Sequence, residues 1–217
     1  MTAETERKER YEGITRWFRE NMPDAKSELD YKSGYELLVA VILSAQCTDK
    51  RVNMVTPAFF KRFPDAASLA SADFNEVLQL ISSISFPNNK ARHLIGMAEM
   101  LTGRFGGVIP DDVETMQQLP GVGRKTANVV ASIIYHKPVI AVDTHVFRVA
   151  RRIGLSDGKN VEEVENDLTA GFPEAIRADA HHWLILHGRY VCTARKPKCS
   201  ECGIADYCRE FLNRWTP

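Results

Sequence analysis

Lys125 and Asp143 are the residues of this chain whose type and setting fit covalent chemistry. Lys125 follows Leu119-Pro120-Gly121-Val122-Gly123-Arg124 and opens an apolar helical run, Thr126 to Tyr135. Asp143 lies in Val142-Asp143-Thr144-His145-Val146, at the opening of a second helix. Backbone N–H groups at a helix start bind phosphate, and Gly121 and Gly123 lack the Cβ that would hold a phosphate away. A lysine just inside a helix start feels the positive end of the dipole. With partial burial, this disfavours the ammonium form and prepares a nucleophilic amine. The N–H groups of the second helix keep the Asp143 carboxylate ionised, ready to accept the lysine proton. The two segments offer a phosphate grip, a candidate amine nucleophile and a candidate carboxylate partner.

A second group of residues has metal-binding chemistry. Four of the five cysteines, Cys192, Cys199, Cys202 and Cys208, are spaced C-x6-C-x2-C-x5-C. Clustered cysteines in a chain with no export signal bind metal rather than form disulfides. Four thiolates suit zinc or an iron–sulfur cluster. Zinc sites more often pair two short C-x2-4-C units, and here only the middle pair is that close, which tilts the choice toward a cubane cluster. Cys47, in Ser44-Ala45-Gln46-Cys47-Thr48-Asp49, stands apart and reads as a small buried apolar residue. The net charge is zero, 28 Lys plus Arg against 28 Asp plus Glu, which excludes a simple polycation. A nucleic acid would have to be held by local patches and helix ends. Two such patches exist: Arg148, Arg151 and Arg152 on one helix, and Arg189, Arg195, Lys196 and Lys198 near the C-terminus.

The elements that must position these residues read as helices joined by short turns. Tyr11, Ile14, Trp17 and Phe18 mark one face of an N-terminal helix that stops before Pro23. Tyr35 to Ala45 is apolar nearly all round and predicts a buried central helix. Phe74, Val77, Leu78 and Ile81 mark another stripe. Asn89 is placed to cap a helix from Lys90 to about Arg104, which Gly106-Gly107 ends. Asp111 or Asp112 caps a short helix before Pro120, Asn160 and Glu163 form a capping pair, and Pro173 precedes a last long helix through Tyr190. Val139-Ile140-Ala141-Val142 is strand-like, but no second run is available to pair with it. The fold class is therefore all-α. A boundary falls at His136-Lys137-Pro138, so if Lys125 and Asp143 work together their site is a cleft between two helical domains. The 217 residues suffice for that, and 44% hydrophobic with 26% charged residues is a globular composition. Met1 to Arg10 is too charged for a signal peptide. The longest apolar stretch, Leu37 to Leu43, is too short for a bilayer. No membrane association and a cytoplasmic location are expected.

At this point several motifs resemble one family. Gly121-Val122-Gly123 within Leu119 to Lys125 is similar to the hairpin of a helix-hairpin-helix motif. Val142 to Val146 is similar to the segment that follows it in the helix-hairpin-helix DNA glycosylases with a Gly/Pro-rich loop and an aspartate. The cysteine spacing is that of the endonuclease III branch, where it holds a four-iron four-sulfur (4Fe-4S) cluster. Leu43-Ser44-Ala45-Gln46 and His181-His182-Trp183-Leu184-Ile185-Leu186-His187-Gly188-Arg189 match as well, and the resemblance runs from about Tyr11 to Arg209.

The resemblance implies a six-helix domain over residues 27–137, bearing the helix-hairpin-helix. It implies a cluster domain built from residues 1–26 and 138–217, the two flanking a DNA-binding cleft. It implies a monomeric bifunctional enzyme of base excision repair, in the cytoplasm on the nucleoid. Its substrate would be double-stranded DNA with damaged bases or abasic sites, from which it excises oxidised pyrimidines and cuts the strand by β-elimination. Lys125 falls on the family's nucleophile and Asp143 on its catalytic aspartate. Adenine-specific and mismatch-thymine relatives lack a lysine here. A damaged nucleotide must be flipped out of the duplex, and Gln46 or Phe86 would fill the gap. Gly121, Val122, Gly123 and His145 would contact DNA, as would Arg195, Lys196 and Lys198 on the loop between the first two cluster cysteines. Ser85, Phe86 and Pro87 stand where a glycine, a leucine and an aromatic are more usual, and Cys47 where a small residue is. The rival readings are a related glycosylase for another lesion (a pyrimidine dimer or a mismatched base), a non-catalytic helix-hairpin-helix DNA-binding protein, and a zinc-stapled interaction protein. DNA binding alone would need neither Lys125 nor Asp143.

Overall fold

The computed structural model describes residues 2–215, and among them there are twelve α-helices, three short 3-10 turns and no strand. The strand-like run 139–142 is irregular, as the lack of a partner requires. The chain divides into two compact units. Residues 28–136 form one, and the segments before and after form the other.

The unit of residues 28–136 is built round α2 (Gly34–Ser44), in which every residue from Leu37 to Leu43 is buried. Ser33 starts it by accepting the Glu36 N–H at 3.2 Å. Two helices that apolar stripes do not announce follow, α3 (Asp49–Arg62) and α4 (Ala66–Ala70). Pro57 sits inside α3 and removes one ladder bond. Side-chain caps at Thr48 and Asp65 compensate at the helix starts. Phe59, Phe63 and Leu69 from this stretch are fully buried, and each large apolar side chain so placed contributes roughly 2 kcal/mol to holding the unit together. Next come α5 (Phe74–Leu80), α6 (Pro87–Phe105), α7 (Val113–Met116, capped by Asp112) and α8 (Arg124–Tyr135). The start of α6 differs from expectation. Asn89 lies inside the helix, the first helical residue is Pro87, and Phe86 is the N-cap without any side-chain hydrogen bond. Proline is pre-set for the first helical position, so it moves the start upstream of the asparagine.

In the second unit, α1 (Ala3–Asn21) returns to pack on α9 (Thr144–Ile153), α10 (Val161–Gly171) and α11 (Arg177–Tyr190), and α12 (Arg209–Trp215) follows the cysteine segment. The expected face of α1 does the packing: Tyr11, Ile14 and Phe18 are buried and Trp17 lies against them. Tyr11 donates its hydroxyl to the carbonyls of Leu155 and Asp167 at 3.0 and 3.1 Å. Phe18 stacks on Trp183 at 5.6 Å, and the Trp183 indole donates to Met22 O at 2.9 Å. The Asn160–Glu163 capping pair forms as the sequence suggests, with Glu163 N to Asn160 Oδ1 at 2.9 Å and Asn160 Nδ2 to Glu163 Oε1 at 2.8 Å. No helix among the described residues is long and apolar enough to cross a membrane.

Candidate functional site: a hairpin, a capped aspartate and a cysteine cavity

The hairpin before α8 is closed by Val122 N donating to Leu119 O at 3.0 Å. Gly121 has φ +79°, in the left-handed region, and a Cβ there would meet His93 Cβ at 2.8 Å, so only glycine fits. Gly123 caps α8 with no side-chain hydrogen bond, and nothing lies within 4 Å of where its Cβ would be. The hairpin backbone is therefore open to an incoming phosphate. Val122 is buried, so its contribution is limited to its backbone. Lys125 is the second residue of α8 and is exposed. The partial burial expected for it is not found, because the first turn of α8 lies on the surface of its unit.

Asp143 caps α9. Its Oδ1 accepts from both His145 N and Val146 N at 2.8 Å, which satisfies two of the N–H groups that the helix start leaves without partners. His145 is half-buried, its Nδ1 lies 3.3 Å from Arg148 Nη2, and its Cβ leaves no room for a side chain at Gly188. Lys125 belongs to the unit of residues 28–136 and Asp143 to the other.

The four cysteines line one cavity, with Ile153, Ile204 and Phe211 among its apolar walls. They are in no disulfide. Among the described residues no group of three or more His, Cys, Asp or Glu is arranged to hold a single metal ion. The four thiols line a shared cavity, whose donor set would suit a group with volume of its own. Burial pushes the Cys202 thiol up to about 11, and burial raises Cys208 as well. Cys47 belongs to the other unit, does not line this cavity, and is half-buried rather than buried as expected.

The cysteine segment is tied to α9 by arginines. Arg152 donates to Thr193 O and Ala194 O at 2.8 and 2.9 Å, lies 3.5 Å from Cys192 Sγ, and pairs with Glu210 at 3.3 Å. Arg148 donates to Gly188 O at 2.8 Å and to Cys192 O at 3.1 Å. Two cations of the first basic patch are thus spent on internal carbonyls instead of facing a phosphate. His187 is also internal. Burial lowers it to about 4, and its Nε2 lies 3.8 Å from Cys202 Sγ. Arg195, Lys196 and Lys198 are exposed on the loop that Arg152 holds, which Thr193 closes by donating to Lys196 O at 2.7 Å.

The two gap-filling candidates share an unusual backbone. Gln46 has φ +54° and Phe86 φ +56°, left-handed conformations that cost a side-chain-bearing residue about 1–2 kcal/mol. Both are exposed, Phe86 by 60%, so Phe86 is no core aromatic. Lys90, which the motifs do not single out, is buried at 5% exposure and donates to Leu43 O at 2.8 Å and Ala45 O at 2.6 Å. Burial lowers its pKa, but both bonds commit its amine to carbonyls.

Helical architecture, hairpin and capped aspartate together define the class. Residues 39–174 match the HhH-GPD superfamily of base excision DNA repair proteins, and residues 192–208 match the iron–sulfur binding domain of endonuclease III. Endonuclease III of Rickettsia conorii is 45% identical over 90% of this chain and 93% of its own length. That of Escherichia coli K12 is 45% identical over 92% and 94%. A solved trapped endonuclease III–DNA covalent intermediate, an estranged-adenine complex, superposes with TM-score 0.88 at 40% identity over 99% of both chains. The chain belongs to the endonuclease III family. It carries the family's 4Fe-4S cluster, and the matched residues 192–208 contain the four cysteines that line the cavity.

Proposed function

We infer that this protein is a bifunctional DNA glycosylase and abasic-site lyase of base excision repair that excises oxidised pyrimidines from duplex DNA. The observation that carries the reading is an exposed lysine in the first turn of a helix that no side chain caps, directly after a hairpin open to phosphate. The hairpin N–H groups hold the strand without reading its sequence, as repair in any context requires. Gln46 and Phe86 fill the space left by the flipped nucleotide. The Lys125 amine, after giving up its proton, attacks the sugar C1′. The C1′–N bond breaks, the base leaves and takes up a proton, and the opened sugar is held as a Schiff base. Loss of a C2′ proton then breaks the C3′–O bond, and water releases the enzyme. Asp143 supplies the carboxylate that takes up the lysine proton and balances the cation developing on the sugar.

Cys192, Cys199, Cys202 and Cys208 hold the cluster, which supplies four metal–thiolate bonds that cross-link the C-terminal segment. Excision and elimination involve no net electron transfer, so the chemistry falls to the side chains. Arg195, Lys196 and Lys198 present their charges to phosphates from the loop so held, and His145 lies at the Asp143 turn where the strand passes. All these residues come from one chain, and we take the working form to be a monomer acting on the nucleoid. Two assays test the reading: nicking of a duplex with one abasic site, and base release across a panel of lesions. Nicking 3′ to the abasic site with release of oxidised pyrimidines is expected. An intact abasic strand, or release of mismatched or dimerised bases alone, would overturn it.

A further inference from the structure

α2 closes only part of its own end, with Ser44 Oγ donating to Val41 O at 2.8 Å and Cys47 N to Ser44 O at 3.0 Å. Its C-cap is Ala45 in a non-left-handed conformation, and its last turn holds no basic residue. The carbonyls there carry the negative end of the dipole and need partners. Lys90 reaches them from α6, 45 and 47 residues along the chain, with Nζ on Ala45 O and Leu43 O. Ala45 is the residue before Gln46. Lys90 is also one helical turn after Phe86, and its own N–H donates to Phe86 O at 3.1 Å. Through its buried side chain and its own N–H, Lys90 therefore links the residue before Gln46 to Phe86, both turns being left-handed and exposed. Strained residues persist where their surroundings over-determine them, and they gather at functional sites. His136, the other left-handed non-glycine residue among the described residues, closes α8.

We propose that Lys90 is a positioning residue that locks the Gln46 turn to the Phe86 turn, so that both side chains meet the duplex already placed. This rests on the reading above that Gln46 and Phe86 enter the space left by the flipped nucleotide. A preformed wedge spares the enzyme from ordering two strained turns while it unstacks a base. Lys90 touches no reacting atom, because its amine is bonded to the two carbonyls.

The test compares single-turnover excision of one oxidised pyrimidine in two duplexes. In one the lesion faces a purine. In the other it faces a stable abasic analogue, where nothing pairs with it and a wedge matters less. Lys90→Met should lower the paired-to-unpaired rate ratio on the order of tenfold, as expected for misplacing groups that act in the transition state, and Lys90→Arg should restore most of it. A merely structural role would slow both duplexes alike and leave the ratio at the wild-type value, which overturns the proposal. If Lys90→Met does not fold, Lys90→Gln is read in the same way. Gln46→Ala and Phe86→Ala separate the two layers of the inference. If they lower the ratio and the Lys90 variants do not, Lys90 is not the lock. If neither lowers it, the wedge reading itself has failed.

Discussion

The starts of α8 and α9 are the same kind of structure put to opposite uses. At α9 a carboxylate closes the helix, and Asp143 Oδ1 takes two N–H groups at 2.8 Å each. At α8 the cap is a glycine with no side chain to accept anything, in open surroundings. Either arrangement satisfies the local needs of a helix, the first by protein and the second by water or an anion. The difference is that the chain withholds an ordinary stabilising cap at the start of α8, where the proposed reading docks a phosphate. It supplies one at α9, where two backbone N–H groups fix the Asp143 carboxylate in place.

Removing the charge at α9 gives the largest effect. Asp143→Asn keeps the capping oxygen but loses the base, so excision should slow roughly 10²-fold or more while thermal stability is held. Asp143→Ala should lose activity as well and about 1 kcal/mol of stability with the cap. Calorimetry beside excision rates separates the two roles, and equal stability of the two variants would show that the cap contributes nothing. The converse experiment closes α8. At φ −89° with no neighbour within 4 Å, Gly123→Asp fits without strain. It should stabilise the protein by about 1 kcal/mol and weaken binding to abasic duplex on the order of tenfold at low salt, because a fixed anion now occupies the phosphate's place. Undiminished affinity would mean that the α8 start is not the grip. The smallest effects belong to the exposed loop. Replacing Arg195, Lys196 or Lys198 singly should lower affinity for every sequence alike and reduce the salt slope by roughly one unit each. Unchanged slopes in all three variants would remove the loop from the interface.

The same contrast explains what could be read from the chain alone. Features that act over a few residues were legible. Asp112, Asp143 and Asn160 cap the helices they precede, Gly106 ends α6, and the all-round apolar run of α2 is the centre of its unit. The four cysteines, held within one short segment, were legible for the same reason. What stayed hidden depends on partners far along the chain. Arg148 and Arg152 look like surface charge until the carbonyls of Gly188, Cys192 and Thr193 are placed opposite them. Lys90 looks like the first polar residue of a helix until α2 is seen to end on it. α3 escaped because Pro57 and its charges break the apolar stripe, and the exposure of Lys125 could not be told from its position in a helix.

Borohydride trapping with Lys125→Gln tests the chemistry most directly. A water nucleophile forms no covalent bond to the enzyme, whereas an amine must pass through a Schiff base that borohydride reduces to a stable link. Wild-type protein turned over on lesion-bearing duplex with borohydride should be captured on the DNA through Lys125. Lys125→Gln should still bind that duplex, because the hairpin N–H groups remain, and should give neither capture nor strand cleavage. Capture of Lys125→Gln at the wild-type rate would place the nucleophile elsewhere.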